Sequence, residues 1–387
     1  MKIARIIAIA LLVLLLAAAG GFAQAKKLKA GFVYIGPVGD SGWTFAHDQG
    51  RKYAMSKLPW LETVYVESVP EGDSSRILDR LVQEEKCDVV LTTSFGYMDD
   101  TIKAGERYPK TLFMHCSGFK NLPNVGTYFA ELYQMYYLNG LMAGALTKSG
   151  KIGYVGAFPT PEVVRHLNAF ALGIKAANPK ARMQVRWIFS WYDPAKAKEA
   201  AEALVADGCD AMAFTEDSAS VVEVGQEHTN AGNPVYTFSH YSPMQQFGPD
   251  SCVSGQLVDW GVMYVKIFQN IVDKTWTPDD MWWLAKEGGA KLGGAPGVPI
   301  NPKFVDALKA IKIRTKDLGS INVYDLVLKR YDQMVKGGRE AFDPFTGPIK
   351  DNKGKVQIPA GRIGTKEELL GAAMSYYVDN IVGDVPK

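Results

Sequence analysis

Short runs of apolar, β-branched and aromatic residues recur along the chain, each closing in a polar, glycine-containing turn before apolar positions resume at helical spacing. The first run, Leu28 to Ile35, passes through Gly36, Pro37, Gly39, Asp40, Ser41 and Gly42 into WTFAHDQG, ending at Gly50. A near-continuous apolar run bounded by such turns predicts a strand buried on both faces, with a helix opening at Trp43. Open α/β sheets bind ligands outside the carboxyl ends of their strands, so this segment marks a candidate site. An indole there either offers a flat face to a planar ligand or packs the loop onto its own domain.

The same order of elements returns further on. LKAGFVYIG (Leu28 to Gly36) resembles KIGYVGAF (Lys151 to Phe158), and TVYVESVPEGDSSRILDRLVQEEKCDVVLTT resembles QVRWIFSWYDPAKAKEAAEALVADGCDAMAFT, with Cys87 and Cys209 at equivalent places. TLFMHCS then parallels NPVYTFSHYS, and NVGTYFAELYQMYYLNGLMAGAL parallels SCVSGQLVDWGVMYVKIFQNI. Each unit alternates strands with helices, the pattern of a parallel sheet covered on both faces. Two units in tandem predict two similar lobes with a ligand cleft between them. The first lobe is expected over residues 26–128 plus about 256–280, and the second over 129–255. Residues 281–387 would complete both lobes. That segment holds the Gly-rich GGAKLGGAPGVP, read as a flexible turn, and a helix from Pro302 to Ile311. Hairpin turn chemistry follows at Asp351 to Gly354, then a last helix near Lys366 to Val378.

The amino terminus changes the picture of where the protein works. Lys2 and Arg5, an apolar run from Ile6 to Ala19 and the A-x-A pattern at Ala23 to Ala25 predict a secretory leader over residues 1–25, cleaved after Ala25. A transmembrane anchor needs a longer uninterrupted apolar run. With no cysteine beside the cleavage point, lipid anchoring is not expected, and the protein should be periplasmic. Removing the two basic leader residues from 43 leaves basic and acidic residues equal at 41, so no basic stripe invites nucleic acid. Cys87, Cys116, Cys209 and Cys252 are too dispersed for a disulfide framework and read as small buried hydrophobes, though an oxidising compartment permits one or two disulfides.

Motifs for catalysis are missing from this sequence. His47, His115, His166, His228 and His240 show no zinc-hydrolase or deaminase spacing, and there is no G-x-S-x-G elbow, Walker A loop or G-x-G-x-x-G after the first strand. No enzyme activity, metal or cofactor is expected. Aromatic residues recur at strand ends instead: Trp43, Phe95 and Tyr97 in the first unit, Phe158 and Trp191 in the second. Facing one another, such rings would clamp a flat heterocycle, and Asp40, Thr44, Glu216, Asp217 and His240 lie at the same level to read its edge. Glu162, with Arg165 and Asn168, opens the helix of the second unit where Asp40 and Trp43 stand in the first; it either meets ligand or complements that helix's positive end. Asp259, before Trp260, has the same two readings.

These residues resemble the basic membrane protein family of substrate-binding proteins of ABC transporters, related to purine nucleoside-binding lipoproteins. The likeness is carried by GPVGDSGWTFAHDQG, by TYFAELYQMYYLNGLMAGALTKSGKIGYVGAFPTPEVVRHLNAFALGIKAANP and by SWYDPAKAKEAAEALVADGCD. EDS at Glu216, LVDWG at Leu257 and FDPFTGPIKDNKG extend it over essentially the whole mature chain. It implies a type I periplasmic binding protein fold, two doubly wound lobes joined by a hinge, a purine ligand between them and a membrane permease as partner. It also implies that Trp43 and Trp191 sandwich the base. Thr44 stands where Asn is common, and Tyr241 and Val258 stand where nucleoside binders carry an acid and a lysine for ribose. Loss of both ribose partners shifts the expected ligand to a free base such as adenine, over a nucleoside. A sensor feeding a membrane receptor and an exported nucleoside-processing enzyme are the alternatives.

Overall fold

The computed structural model describes residues 27–386, so the leader expected over residues 1–25 lies outside the described residues. Six strands form the first sheet: β1 (Leu28–Val33), β2 (Leu61–Val66), β3 (Val89–Thr92), β4 (Leu112–Cys116), β5 (Val125–Ala130) and β11 (Asp280–Trp283). They are ordered β11-β5-β4-β3-β1-β2 and run parallel. The second sheet holds β6 (Lys151–Gly156), β7 (Arg182–Trp187), β8 (Ala211–Thr215), β9 (Tyr236–Tyr241), β10 (Cys252–Val258), β12 (Ala290–Leu292) and β17 (Ile381–Val382). Its order is β12-β10-β9-β8-β6-β7-β17, with β12 antiparallel to β10 and the other pairs parallel. Strands β3, β5 and β8 are buried at every position, as expected for strands sandwiched between helices.

Eleven α-helices accompany the sheets among the described residues: α1 (Trp43–Lys57), α2 (Ser74–Gln83), α3 (Met98–Arg107), α4 (Tyr133–Leu146), α5 (Pro161–Ala177), α6 (Pro194–Ala206), α7 (Ser220–Asn230), α8 (Trp260–Val272), α9 (Pro302–Ala310), α10 (Val323–Lys336) and α11 (Lys366–Leu370). The chain passes between the sheets after β5, after β10 and after β11. Helix α4 follows the first passage and is apolar all round; every residue but Ala145 is buried. It meets α5 backbone to backbone: a Cβ on Gly140 would lie 2.1 Å from the Phe170 carbonyl oxygen, and one on Gly173 would lie 2.1 Å from that of Tyr137. Only glycine permits so close an approach.

Three expectations change in the carboxyl-terminal part. The Gly-rich stretch is not a free turn, because Ala290 to Leu292 form edge strand β12 and the Gly293 amide donates to the Gly255 carbonyl at 3.0 Å. The helix at Pro302 ends at Ala310. The last helix stops at Leu370 rather than near Val378. Leu369, Met374, Tyr377 and Val378 are all buried at near-helical spacing, but Asn168 holds the tail in another shape. Its carboxamide donates to the Tyr376 carbonyl at 2.8 Å and accepts from the Val378 amide at 3.0 Å. The turn at Asp351 to Gly354 does join an antiparallel pair, β15 (Ile349–Lys350) and β16 (Val356–Ile358), with Gly354 at φ 83°. Strands β13 (Lys312–Thr315) and β14 (Gly319–Asn322) make a second small hairpin. All four cysteines are buried and unpaired.

Candidate functional site

The carboxyl ends of the two sheets converge on a cavity of about 270 Å³. Ile35 after β1, Thr93, Ser94 and Phe95 after β3, and Ser117 after β4 line it from the first sheet, with Trp43 at the start of α1. From the second come Glu162 at the start of α5, Trp191 beyond β7, Asp217 beyond β8 and Tyr241 at the end of β9. None of these ten lining residues is basic. The rims of the two sheets touch: Gly42 lies so near Asp217 that a Cβ would fall 2.3 Å from its carbonyl oxygen, and the Ser242 hydroxyl donates to the Ser41 carbonyl.

Trp43 is 6% exposed, with its ring edge-on to Tyr241 at 4.7 Å and to His47 at 4.5 Å, and 5.4 Å from Trp260. Its Nε1 donates to the Thr93 carbonyl at 2.5 Å. The indole is therefore both a wall of the cavity and part of an aromatic core. Trp191 is only partly buried and leans on Phe158, whose ring lies 5.1 Å away; Phe158 supports the wall without lining it. Phe95 reaches the cavity, but Tyr97 does not. Tyr97 is wholly buried and its hydroxyl donates to the Val69 carbonyl at 2.5 Å.

Several predicted polar contacts are engaged elsewhere. The Asp40 carboxylate accepts from the amides of Gly42, Thr44 and Phe45 at 2.8–2.9 Å and so caps α1. Burial raises its pKa, opposed by those three hydrogen bonds. The Thr44 hydroxyl accepts from the Gly36 amide at 3.1 Å and fixes the exit of β1. Asn168 ties down the tail, as described. His240 lies in the core, its Nδ1 2.8 Å from the Tyr136 hydroxyl and 3.1 Å from Gln256 Nε2. Asp259 caps α8 through the Val262 amide at 3.4 Å and pairs with Lys291 at 2.7 Å. It faces a second, open crevice of about 1460 Å³.

Two of the predicted acids do reach the cavity. Thr160 caps α5 and leaves Glu162 free to accept from the Tyr241 hydroxyl at 3.3 Å. Asp217 is 2% exposed, and burial with Asp40, Glu216 and Glu162 nearby pushes its carboxyl well above the usual range. Its neighbour Glu216, pushed up to about 8 by burial, accepts from the Ser218 amide and hydroxyl at 2.9 Å. The cavity also uses Ile35, Thr93, Ser94, Ser117 and Tyr241, none of which was among the predicted contacts. Thr93 and Ser94 end the β3 run as Ser117 ends that of β4, so strand-end position alone could have found them.

Beneath the cleft, Glu131 sits at the first passage between sheets and binds Arg165 at 2.8 Å, His166 at 3.0 Å and the Trp282 indole at 2.9 Å. Although burial acts the other way, Arg165 and His166 hold this carboxyl below its usual range. Among the described residues no group of three or more His, Cys, Asp or Glu is arranged to hold a metal ion, and no helix is long and apolar enough to cross a membrane.

The family described as ABC transporter substrate-binding protein, PnrA-like, matches residues 27–319. A purine-binding protein of Brucella abortus is 35% identical over 371 residues, 95% of this chain and 97% of that protein. A putative ABC transporter glucose-binding protein of Haloferax volcanii is 34% identical, over 95% of this chain and 83% of its own length. The solved ABC transporter solute-binding protein of Aeropyrum pernix superposes with a TM-score of 0.69 at 15% identity, covering 91% of this chain and all of that one, a likeness of fold. The fold is the type I periplasmic binding protein fold, and the chain belongs to the PnrA-like family of ABC transporter substrate-binding proteins, which implies a small-molecule ligand and a membrane permease as partner.

Proposed function

We propose that the protein captures a free purine base, adenine or a close relative, in this cleft and delivers it to an ABC importer in the membrane after export to the periplasm. The observation that carries this reading is Tyr241. It stands between the 270 Å³ cavity and the larger crevice, contributing to the wall of both, where its ring would limit the space for a sugar on the base. Trp43, Phe95 and Trp191 supply aromatic surface, and base–aromatic stacking is worth roughly 1–3 kcal/mol per base. The Brucella relative's name supports the purine class.

The Haloferax relative's name favours a second reading, a hexose. Thr93, Ser94 and Ser117 could bind sugar hydroxyls, and an aromatic face suits a pyranose as well. One experiment separates the two: unfold the purified protein, identify any released small molecule by mass spectrometry, and titrate refolded protein with adenine, adenosine and glucose by calorimetry. Adenine binding tightest supports the proposal. Adenosine or glucose binding tightest overturns it.

A further inference from the structure

The Asp217 side chain is nearly inaccessible from outside, yet its carboxyl opens into the cavity and accepts no hydrogen bond from any described residue. Its position is fixed on both sides. The Asp217 amide donates to the Trp191 carbonyl at 2.8 Å, and its carbonyl lies so close to Gly42 that no side chain would fit there, so the backbone is held at the cavity edge. With no protein donor in reach, the carboxyl takes its hydrogen bonds from what fills the cavity, water or ligand. Glu162 is a second carboxylate in the same wall, and no basic lining residue offsets the pair.

We propose that Asp217 makes this a site for neutral purines such as adenine and guanine, and turns away anionic urate. The inference rests on the purine reading of the cleft. An amino group beside a ring nitrogen presents either one donor with one acceptor, as in adenine, or two donors, as in guanine. A carboxyl meets the first pattern when protonated and the second when ionised, in each case through two parallel hydrogen bonds. Burial and the acids nearby raise the Asp217 pKa above the usual carboxylate range. A neutral lactam edge, N–H beside C=O, offers a protonated carboxyl the same donor and acceptor that adenine does, whereas urate carries a negative charge at neutral pH. The charge of urate would meet Asp217 and Glu162 with no basic lining residue to offset it, which is discrimination by repulsion.

The test is calorimetry on ligand-stripped protein with adenine, guanine and urate, for wild type and for Asp217→Asn, which keeps the side chain's shape and removes its charge. For wild type, adenine or guanine should bind at least tenfold tighter than urate. In Asp217→Asn that ratio should fall at least fivefold, with urate binding no more weakly than before. Equal affinities across the three purines in wild type overturn the proposal, as does an unchanged ratio in the variant. If the variant does not fold, the wild-type ratio decides alone. Should none of the three bind, the purine reading itself fails and this inference falls with it, an outcome distinct from binding without discrimination.

Discussion

Replacing Trp43 by alanine should damage the protein in two separable ways, because the indole is shared between the cavity wall and the core. Its ring packs against His47, Tyr241 and Trp260, and its Nε1 bonds the Thr93 carbonyl. Large-to-small changes of this kind cost about 3–5 kcal/mol where the site cannot collapse. The loop at Gly36 to Gly42 gives some relief here, so the lower half of that range is expected. The carbonyl of Thr93 also loses its donor, adding about 1 kcal/mol. Trp191 is the control: it is partly exposed and packs mainly on Phe158, so Trp191→Ala should cost under about 1 kcal/mol of stability. Each substitution removes one stacking surface and should weaken ligand binding by roughly 1–3 kcal/mol. Urea unfolding of ligand-free protein gives the first quantity and calorimetry the second. The reasoning is refuted if the two variants lose equal stability, or if Trp43→Ala is destabilised while ligand affinity stays at the wild-type value.

Three further outcomes are expected. Tyr241 has φ 61°, so Tyr241→Gly removes the ring without backbone strain; the variant should gain at least tenfold in adenosine affinity relative to adenine, measured by competition, and no gain would mean another residue blocks the sugar. Glu216 has a folded pKa pushed up to about 8 by burial, so its contribution is present below the unfolded value near 4.5 and is lost as pH rises through 8. The melting temperature of Glu216→Gln should therefore rise relative to wild type between pH 5.5 and 8.5, by an amount on the order of a few kcal/mol in stability; a constant gap would count against the shift. Asn168→Ala should free the tail near Tyr376 to Val378, seen as faster amide exchange at Val378, with ligand affinity unchanged; a tenfold loss of affinity would return Asn168 to the site.

The parallel sheets and the place of the cleft were legible because both rest on periodicity. Short apolar runs such as CDVVLTT and CDAMAFT, bounded by turn residues, fit strands buried on both faces, and their repetition sets two sheets side by side. The tail was misread for a related reason. Leu369, Met374 and Tyr377 carry helical spacing, but Asn168, some two hundred residues earlier, supplies the hydrogen bonds that hold the chain in another form. Local pattern carries no information about a partner so distant in sequence. The aromatic walls illustrate the same limit: Tyr97 and Phe95 are two residues apart at one strand end, yet one is core and the other faces the cavity.

The acidic residues were harder, and the reason is physical. Every acid considered stands near a helix start at the edge of a sheet, where its charge has two uses: satisfying the first backbone amides, or meeting a ligand. Which use prevails depends on whether another group already serves the helix. Asp40 and Asp259 have no substitute and are spent on α1 and α8. Thr160 caps α5, so Glu162 is released to the cavity. Beyond β8, Glu216 holds Ser218 ahead of α7, which begins only at Ser220, and Asp217 between them is left with no backbone amide to satisfy. A carboxylate at such an edge is thus available to a ligand when its neighbours have already closed the turn, and that condition, more than the presence of an acid, separates Glu162 and Asp217 from Asp40 and Asp259.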